Sequence, residues 1–164
     1  MHSRIFCIVS KTLEEKEQEI CKENFEDLSE TEVFEDFQSI ADYVSEDTNF
    51  SQDCEWLKEY GERSGVIEFI DDTTFKFNRS AVEEVLEDRI KKLKEKVDTL
   101  NSAKDLQSWT VYEIGNILND KFSFHFMLDD RYSTYTFDEL LVEIYQGTER
   151  CLEYQIVKSF DYHY

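Results

Sequence analysis

The sequence contains no proline, and its glycines are few and scattered. Without proline there is no X-Pro bond whose isomerisation would slow folding. Because the glycines are dispersed, they do not form the glycine-rich loop that cradles phosphate groups. No apolar run approaches the roughly 18 residues of a membrane-spanning helix. The four glycines are Gly61, Gly65, Gly115 and Gly147.

Cysteine occurs at four positions, but no two of them are close enough to form a CxxC pair. That spacing is typical of zinc sites and redox motifs. We therefore expect no metal site and four reduced, mostly buried thiols at Cys7, Cys21, Cys54 and Cys151. The apolar run over residues 5–9 is shorter than the core of a signal peptide, which has about 7–15 residues. This favours a cytoplasmic protein.

The sequence offers little for catalysis. His2 and His163 lie at the chain ends, and His125 lies between two phenylalanines, where we expect a half-exposed sheet histidine. A general base needs a carboxylate and a nucleophile in a defined geometry, and the sequence places only Asp129 and Asp130 after His125. With 38 acidic residues, paired carboxylates occur by chance. We predict no catalytic or cofactor-binding residues, and a protein that is not an enzyme.

The residues that are abundant are typical of a folded domain. Apolar residues make up 40% of the 164 residues and aromatic residues 15%, which excludes a disordered chain. This length fits one domain with one core. Residues of the types that have AT-rich codons number 53, and residues of the types that have GC-rich codons number 13. Such a bias is typical of low-GC bacteria, their phages and their mobile elements.

Several segments have the residue patterns of strands. Residues 3–10 are rich in β-forming side chains, and residues 66–70 and 73–77 form a hairpin pattern. Residues 122–128 alternate in the way that is typical of a half-buried strand. Residues 151–162 are predicted to form a final strand or pair of strands.

Five capping boxes, in which a serine or threonine precedes a glutamate by three residues, predict helix starts. They are Thr12 with Glu15, Ser29 with Glu32, Ser80 with Glu83, Thr110 with Glu113 and Thr136 with Glu139. Another helix is predicted over 51–60, ended by Gly61, and the helix that starts at Thr136 is predicted to end at Gly147. The predicted fold class is α+β. It is a single domain, residues 1–164, with an antiparallel or mixed sheet of about five strands and about six helices.

The helix predicted over 80–100 has apolar residues at spacings of 4, 3, 4 and 3. Two heptads are fewer than the three or four that indicate a coiled coil, so a core helix is favoured over a dimer zipper. The helix also contains a basic cluster, but a chain of net charge −20 is repelled by phosphate. We therefore expect no direct nucleic-acid binding. The apolar residues are Leu86, Ile90, Leu93, Val97 and Leu100.

The negative charge is concentrated in one third of the chain. Residues 12–62 contain 18 acids and three bases, a net charge of −15. Such a concentration costs stability through self-repulsion and exceeds what solubility requires. The helix that follows Ser29 is predicted to carry a mostly acidic stripe opposite an apolar face. The stripe is Glu32, Glu35, Ser39, Asp42 and Glu46, and the apolar face is Phe34, Phe37, Ile40, Ala41 and Val44.

These features favour a binding protein. The first hypothesis is an acidic decoy that occupies the basic nucleic-acid-binding surface of a partner protein, as DNA-mimicking counter-defence proteins and nuclease immunity proteins do. The alternative is an interaction or regulatory domain with incidental acidity that contacts its partner through aromatic or apolar residues, first of all in the segment 154–164. The decoy hypothesis predicts that the acids form one exposed surface. Its residues are Glu14, Glu15, Glu19, Glu32, Glu35, Asp36, Asp42, Glu46, Asp47, Asp53, Glu55, Glu59 and Glu62.

Overall fold

The computed structural model describes residues 2–100, 109–118, 124–129, 133–149 and 151–164. In these residues the chain forms six helices and seven strands. No helix in this described part is both long and apolar enough to cross a membrane. In chain order the elements are β1 (His2–Ser10), α1 (Glu15–Glu26), α2 (Glu30–Phe37), β2 (Tyr43–Ser45), α3 (Phe50–Ser64), β3 (Ile67–Phe69), β4 (Thr74–Phe77), α4 (Arg79–Asp98), α5 (Trp109–Leu118), β5 (His125–Leu128), β6 (Ser133–Thr136), α6 (Phe137–Gln146) and β7 (Glu153–His163).

The strands form one mixed sheet in the order β3-β4-β7-β1-β5-β6, and β2 pairs with the end of β7. β1 and β5 run parallel, and the other pairs are antiparallel. β7 is the central strand because it pairs with β1 along one edge and with β4 and β2 along the other. The predicted single α+β domain with a mixed sheet is confirmed. β2 and β6 were not predicted, so the strands number seven instead of about five.

A β-bulge in β7 divides that strand between the two faces of the sheet. Cys7 of β1 is opposite Lys158 and the next residue is opposite Ile156, so Val157 is the extra residue. Beyond the bulge the alternation is reversed. Tyr154 and Ile156 therefore belong to one buried cluster, whereas Phe160 and Tyr162 belong to the other.

The sheet separates two hydrophobic cores, because alternate residues of β1 point to opposite faces. Phe6 and Ile8 pack with residues of α3, α4 and α6, including Leu57, Leu86 and Leu140. Ile5, Cys7 and Val9 pack with residues of α1 and α2, including Phe25, Val33 and Phe37. The first two helices therefore cover one face of the sheet, and the third covers the opposite face.

β5 is buried along its whole length, and the prediction of a half-buried strand is wrong. The strand lies between β1 and β6, and side chains of both cores contact it. His125 is accordingly buried and not half-exposed. Its Nδ1 lies 3.3 Å from the hydroxyl of Tyr162, and its ring meets Phe37 edge-on. Residues 122 and 123 of the predicted strand lie outside the described residues.

The helix starts at Ser29 and Thr136 are confirmed with their complete capping boxes. The end of α6 at Gly147 is also confirmed, with a left-handed φ of 76°. The start at Thr12 is wrong, since Glu14 caps α1 and the Thr12 hydroxyl lies 2.7 Å from that of Ser10. The cap of α4 is Asn78 instead of Ser80.

α5 begins at Trp109, close to the predicted start at Thr110. Its capping position lies outside the described residues.

The acidic helix α2 ends at Phe37, about two turns earlier than the predicted stripe requires. The amides of Ile40 and Ala41 both donate to the Phe37 carbonyl, and Asp42 then donates to His163. Residues 43–45 pair with the free edge of β7 and form β2. The edge of an existing sheet therefore overrides the local helical pattern.

α3 continues through Gly61, the predicted end of this helix, to Ser64. A Cβ atom at Gly61 would lie 2.7 Å from the carbonyl oxygen of Ile67, so glycine allows α3 to approach β3 closely. Gly65, with a φ of 69°, ends the helix.

Only the first half of α4 is a core helix. Val82 and Leu86 are buried, but Ile90 is 49% and Val97 47% exposed. The second half packs on α5, where Lys96 is paired with Glu113 at 2.9 Å. The prediction of a core helix is therefore wrong for the second half of α4.

All four cysteines are free thiols in the structure, and Cys7, Cys54 and Cys151 are buried. Burial raises the pKa of Cys7 to about 12. It also raises the pKa of Cys54 to about 11, with smaller contributions from nearby carboxylates. Both thiols are protonated and shielded at neutral pH, so they are poor nucleophiles.

Candidate protein-binding surface

The acids of residues 12–62 are almost all exposed. Seventeen of the eighteen have exposed side chains, and the exception is Asp53. They do not form one surface, however, because α1 and α2 cover one face of the sheet and α3 the other. The prediction of a single surface is wrong. The first group, the α1/α2 acidic surface, includes Glu14, Glu15, Glu19, Glu32, Glu35 and Asp36, and the second, the α3 acidic face, consists of Glu55, Glu59 and Glu62.

α1 carries the most regular row of carboxylates. Glu15, Glu19 and Glu23 follow one another at intervals of four residues. Phe25, on the opposite side of the helix, is buried. This spacing places successive carboxylates about 6 Å apart along the helix axis. None of the three makes an ion pair with any residue that the structure describes. The row is thus a line of exposed carboxylates that have no ion pair in the described part of the chain.

The acids at the ends of α1 and α2 oppose the helix dipole. Neither helix has a basic residue in its last turn. The last turn of α1 contains Glu26, and that of α2 contains Glu35 and Asp36. A negative charge at a helix C-terminus is unfavourable by about 0.3–1 kcal/mol.

This cost is measurable at Asp36, which is exposed. Asp36→Lys should raise the free energy of unfolding by about 0.5–1 kcal/mol, because a cation replaces an anion at the C-terminus of α2. Asp36→Asn, which only removes the charge, should give about half of that gain. Urea denaturation of the two variants and the parent measures both effects. A lysine variant that is no more stable than the parent would show that the dipole is not opposed.

Two residues of the predicted stripe contact basic side chains. Asp42 lies 3.3 Å from the His163 ring, and Glu46 lies 3.0 Å from Lys158. Lys158 also donates to the carbonyls of Glu26 and Leu28, so this pair joins β7 to the end of α1. Lys158 lowers the pKa of Glu46. The pair therefore stabilises the fold at neutral pH, and this contribution is lost as the pH falls through the lowered pKa.

Glu46 and Glu30 also connect β2 to α2, since each carboxylate accepts a hydrogen bond from the backbone amide of the other residue. Asp47 follows β2, is exposed, and has its amide bonded to Ser45. Glu46 thus has a structural role, and the continuous stripe from Glu32 to Glu46 does not exist. Glu32 and Glu35 remain on the surface of α2.

Asp53 is not a surface residue, and its assignment to partner binding is wrong. It is 4% exposed and accepts hydrogen bonds from Arg4 Nε at 2.6 Å and Ser159 Oγ at 2.8 Å. Arg4 is also paired with Asp161, which lies 2.8 Å from the His2 ring. This network joins α3 to β1 and β7 on the face opposite the α1/α2 acidic surface.

A cleft of about 540 Å³, the Trp56 cleft, lies between this network and the outer face of α3. Its wall on α3 has residues at positions i, i+3, i+4 and i+7, which share one side of a helix. Trp56 is 40% exposed there. The cleft is lined by His2, Ser3, Arg4, Gln52, Asp53, Glu55, Trp56 and Glu59.

Glu55 and Glu59 were predicted as site residues from the sequence, whereas Trp56 and Arg4 were not. The spacing of 52, 55, 56 and 59 was a readable signal for an outer helix face that combines an aromatic residue with carboxylates. The role of Arg4 had no such signal, because its partner Asp53 is 49 residues away in the sequence.

No protein-family model matches this chain, and no curated protein or solved structure matches it. Among the described residues, no group of three or more metal-ligating side chains is placed to hold a metal ion. The prominent features are exposed carboxylates on both faces and one aromatic cleft, and they suit electrostatic contact with a cationic surface.

Proposed function

We propose that this protein binds a basic, nucleic-acid-binding protein and blocks the surface that would otherwise contact DNA or RNA. It acts by binding and not by catalysis. The observation that carries the proposal is the exposure of seventeen acids in a segment with a net charge of −15. The row Glu15, Glu19 and Glu23 is its most regular part.

Charge complementarity supports this function. A groove that binds nucleic acid presents lysine and arginine to phosphates, and exposed carboxylates interact with the same cations. A concentrated negative surface also accelerates the encounter with such a partner. Acids in the last turns of α1 and α2 oppose the helix dipoles, and a cationic partner surface would offset that cost.

A second candidate is an interaction domain that binds through aromatic residues. Trp109 is 71% and Tyr112 56% exposed, and their rings lie 4.7 Å apart on α5. Exposed aromatic pairs are common anchors of protein interfaces. The prediction that the segment 154–164 forms such a surface is wrong, because Tyr154 and Tyr162 are fully buried.

The decisive variant reverses the row on α1, with Glu15, Glu19 and Glu23 all replaced by lysine. The matched control reverses Glu83, Glu84 and Glu87 on α4, three exposed acids, and so has the same change in net charge. Each tagged protein is used to capture partners from a host lysate, and the captured proteins are identified.

We expect the parent and the α4 control to retain a nucleic-acid-binding protein that the α1 variant loses. Surface substitutions usually change stability little, which circular dichroism checks for both variants. Equal capture by the two variants would show that the α1 row is not the recognition element. Capture that depends on Trp109 and Tyr112 instead would support the second candidate.

A further inference from the structure

The Trp56 cleft has an aromatic wall held in place by other rings. Trp56 lies nearly parallel to Phe6 at 6.3 Å between centroids and to Tyr60 at 6.2 Å, and Phe124 meets it edge-on at 5.4 Å. These contacts fix the indole on α3 while 40% of the residue is exposed. A fixed, half-exposed tryptophan loses little conformational entropy when a ligand covers it.

Carboxylates flank this tryptophan on the same helix face. Glu55 and Glu59 are one turn apart, both are exposed, and neither is ion-paired within the described ranges. Like charges at this spacing destabilise a helix by about 0.2–0.5 kcal/mol. A cation bound between them would relieve that repulsion.

The cation already in the cleft does not fill this role. Arg4 is held by two carboxylates, those of Asp53 and Asp161, so its charge is compensated. With Glu55 and Glu59 included, the surroundings hold one arginine and four carboxylates. The cleft is therefore electronegative although an arginine lines it.

We propose that the Trp56 cleft receives an arginine side chain of the basic partner, an inference that rests on the proposed function. The guanidinium would stack on the indole of Trp56 and pair with Glu55 and Glu59. Arginine suits this site better than lysine, because its planar group stacks on aromatic rings and bonds carboxylates in a fork geometry. The volume of about 540 Å³ also accommodates the backbone that flanks such a side chain, since ligand pockets span about 300–1,000 Å³.

The test uses the full chain with Trp109→Phe, which leaves Trp56 as the single tryptophan of the two in the sequence. N-acetyl-Gly-Arg-Gly-amide is titrated while indole fluorescence is followed at constant ionic strength. The matched probe has citrulline, the neutral isostere, in place of arginine. We expect a saturable change for the arginine peptide and about tenfold weaker binding of the citrulline peptide.

Glu59→Gln should weaken binding of the arginine peptide several-fold. Glu84→Gln, the same change on an exposed residue of α4 outside the cleft, should leave binding unchanged. Equal binding of both peptides, the absence of saturable binding, or an equal effect of the two substitutions would overturn the assignment. The titration needs no protein partner, so its failure is distinguishable from failure of the α1 capture experiment.

Discussion

Replacing Phe126 by alanine should lower the free energy of unfolding by about 3–5 kcal/mol, the cost of emptying a buried phenylalanine site. Phe126 is fully buried at the centre of the first core, on β5. Its ring lies 5.9 Å from that of Phe75 and 6.0 Å from that of Phe6. These neighbours belong to β4 and β1, so their backbone is fixed by the sheet and the cavity does not close.

Urea denaturation of Phe126→Ala measures this effect. The control is Ile70→Ala, which removes apolar atoms from a residue that is 53% exposed and should cost within about 0.5 kcal/mol. A loss below about 1 kcal/mol for Phe126→Ala would contradict the placement of β5 between the two cores.

Asp53→Ala should lower the free energy of unfolding by about 2–3 kcal/mol, somewhat less than the full cost of breaking a buried ion pair. The substitution leaves Arg4 Nε and Ser159 Oγ without their acceptor. The loss is moderated because Arg4 is half-buried and keeps its pairing with Asp161.

The matched control for Asp53→Ala is Glu55→Ala, two residues along the same helix, where the carboxylate is exposed. It should change stability by less than about 0.5 kcal/mol. If the two alanine variants were equally stable, Asp53 would be a surface residue, as the composition of its segment had suggested.

The sequence predicted elements whose signals are local. The capping boxes at Ser29 and Thr136 and the glycine at 147 act within one helix turn, and all three lie where they were expected. The run of β-forming residues in β1 and the hairpin of β3 and β4 depend equally on neighbouring residues. The chemistry of a turn or a cap is complete within a few residues, so a single sequence reveals it.

Elements that depend on distant partners were not predictable in this way. Residues 43–45 have a helical apolar pattern with their predecessors but pair with the free edge of β7, more than 100 residues away. The bulge at Val157 decides which face each residue of β7 covers. Neither the pairing of β2 nor the bulge in β7 has a signal within its own segment, because both depend on the geometry of the assembled sheet.

The candidate site was predictable in composition but not in arrangement. Exposure of acids such as Glu15, Glu35 and Glu59 was expected from their helical spacing and is confirmed. Their division between two faces follows from the chain path, since α3 reaches the opposite side of the sheet only after β2. Trp56 lines a cleft together with Arg4, which the fold brings beside α3 from a distant part of the sequence.

If carboxylates of this protein replace nucleic-acid phosphates on a basic partner, the protein and the nucleic acid compete for one surface. The most direct test is a competition measurement with the captured partner, in which labelled DNA or RNA is pre-bound and this protein is titrated. We expect complete displacement, and an affinity that falls about tenfold or more between about 50 and 200 mM salt, since salt screens exposed charges. A ternary complex in which the nucleic acid stays bound, or an affinity that does not change with salt, would contradict the claim.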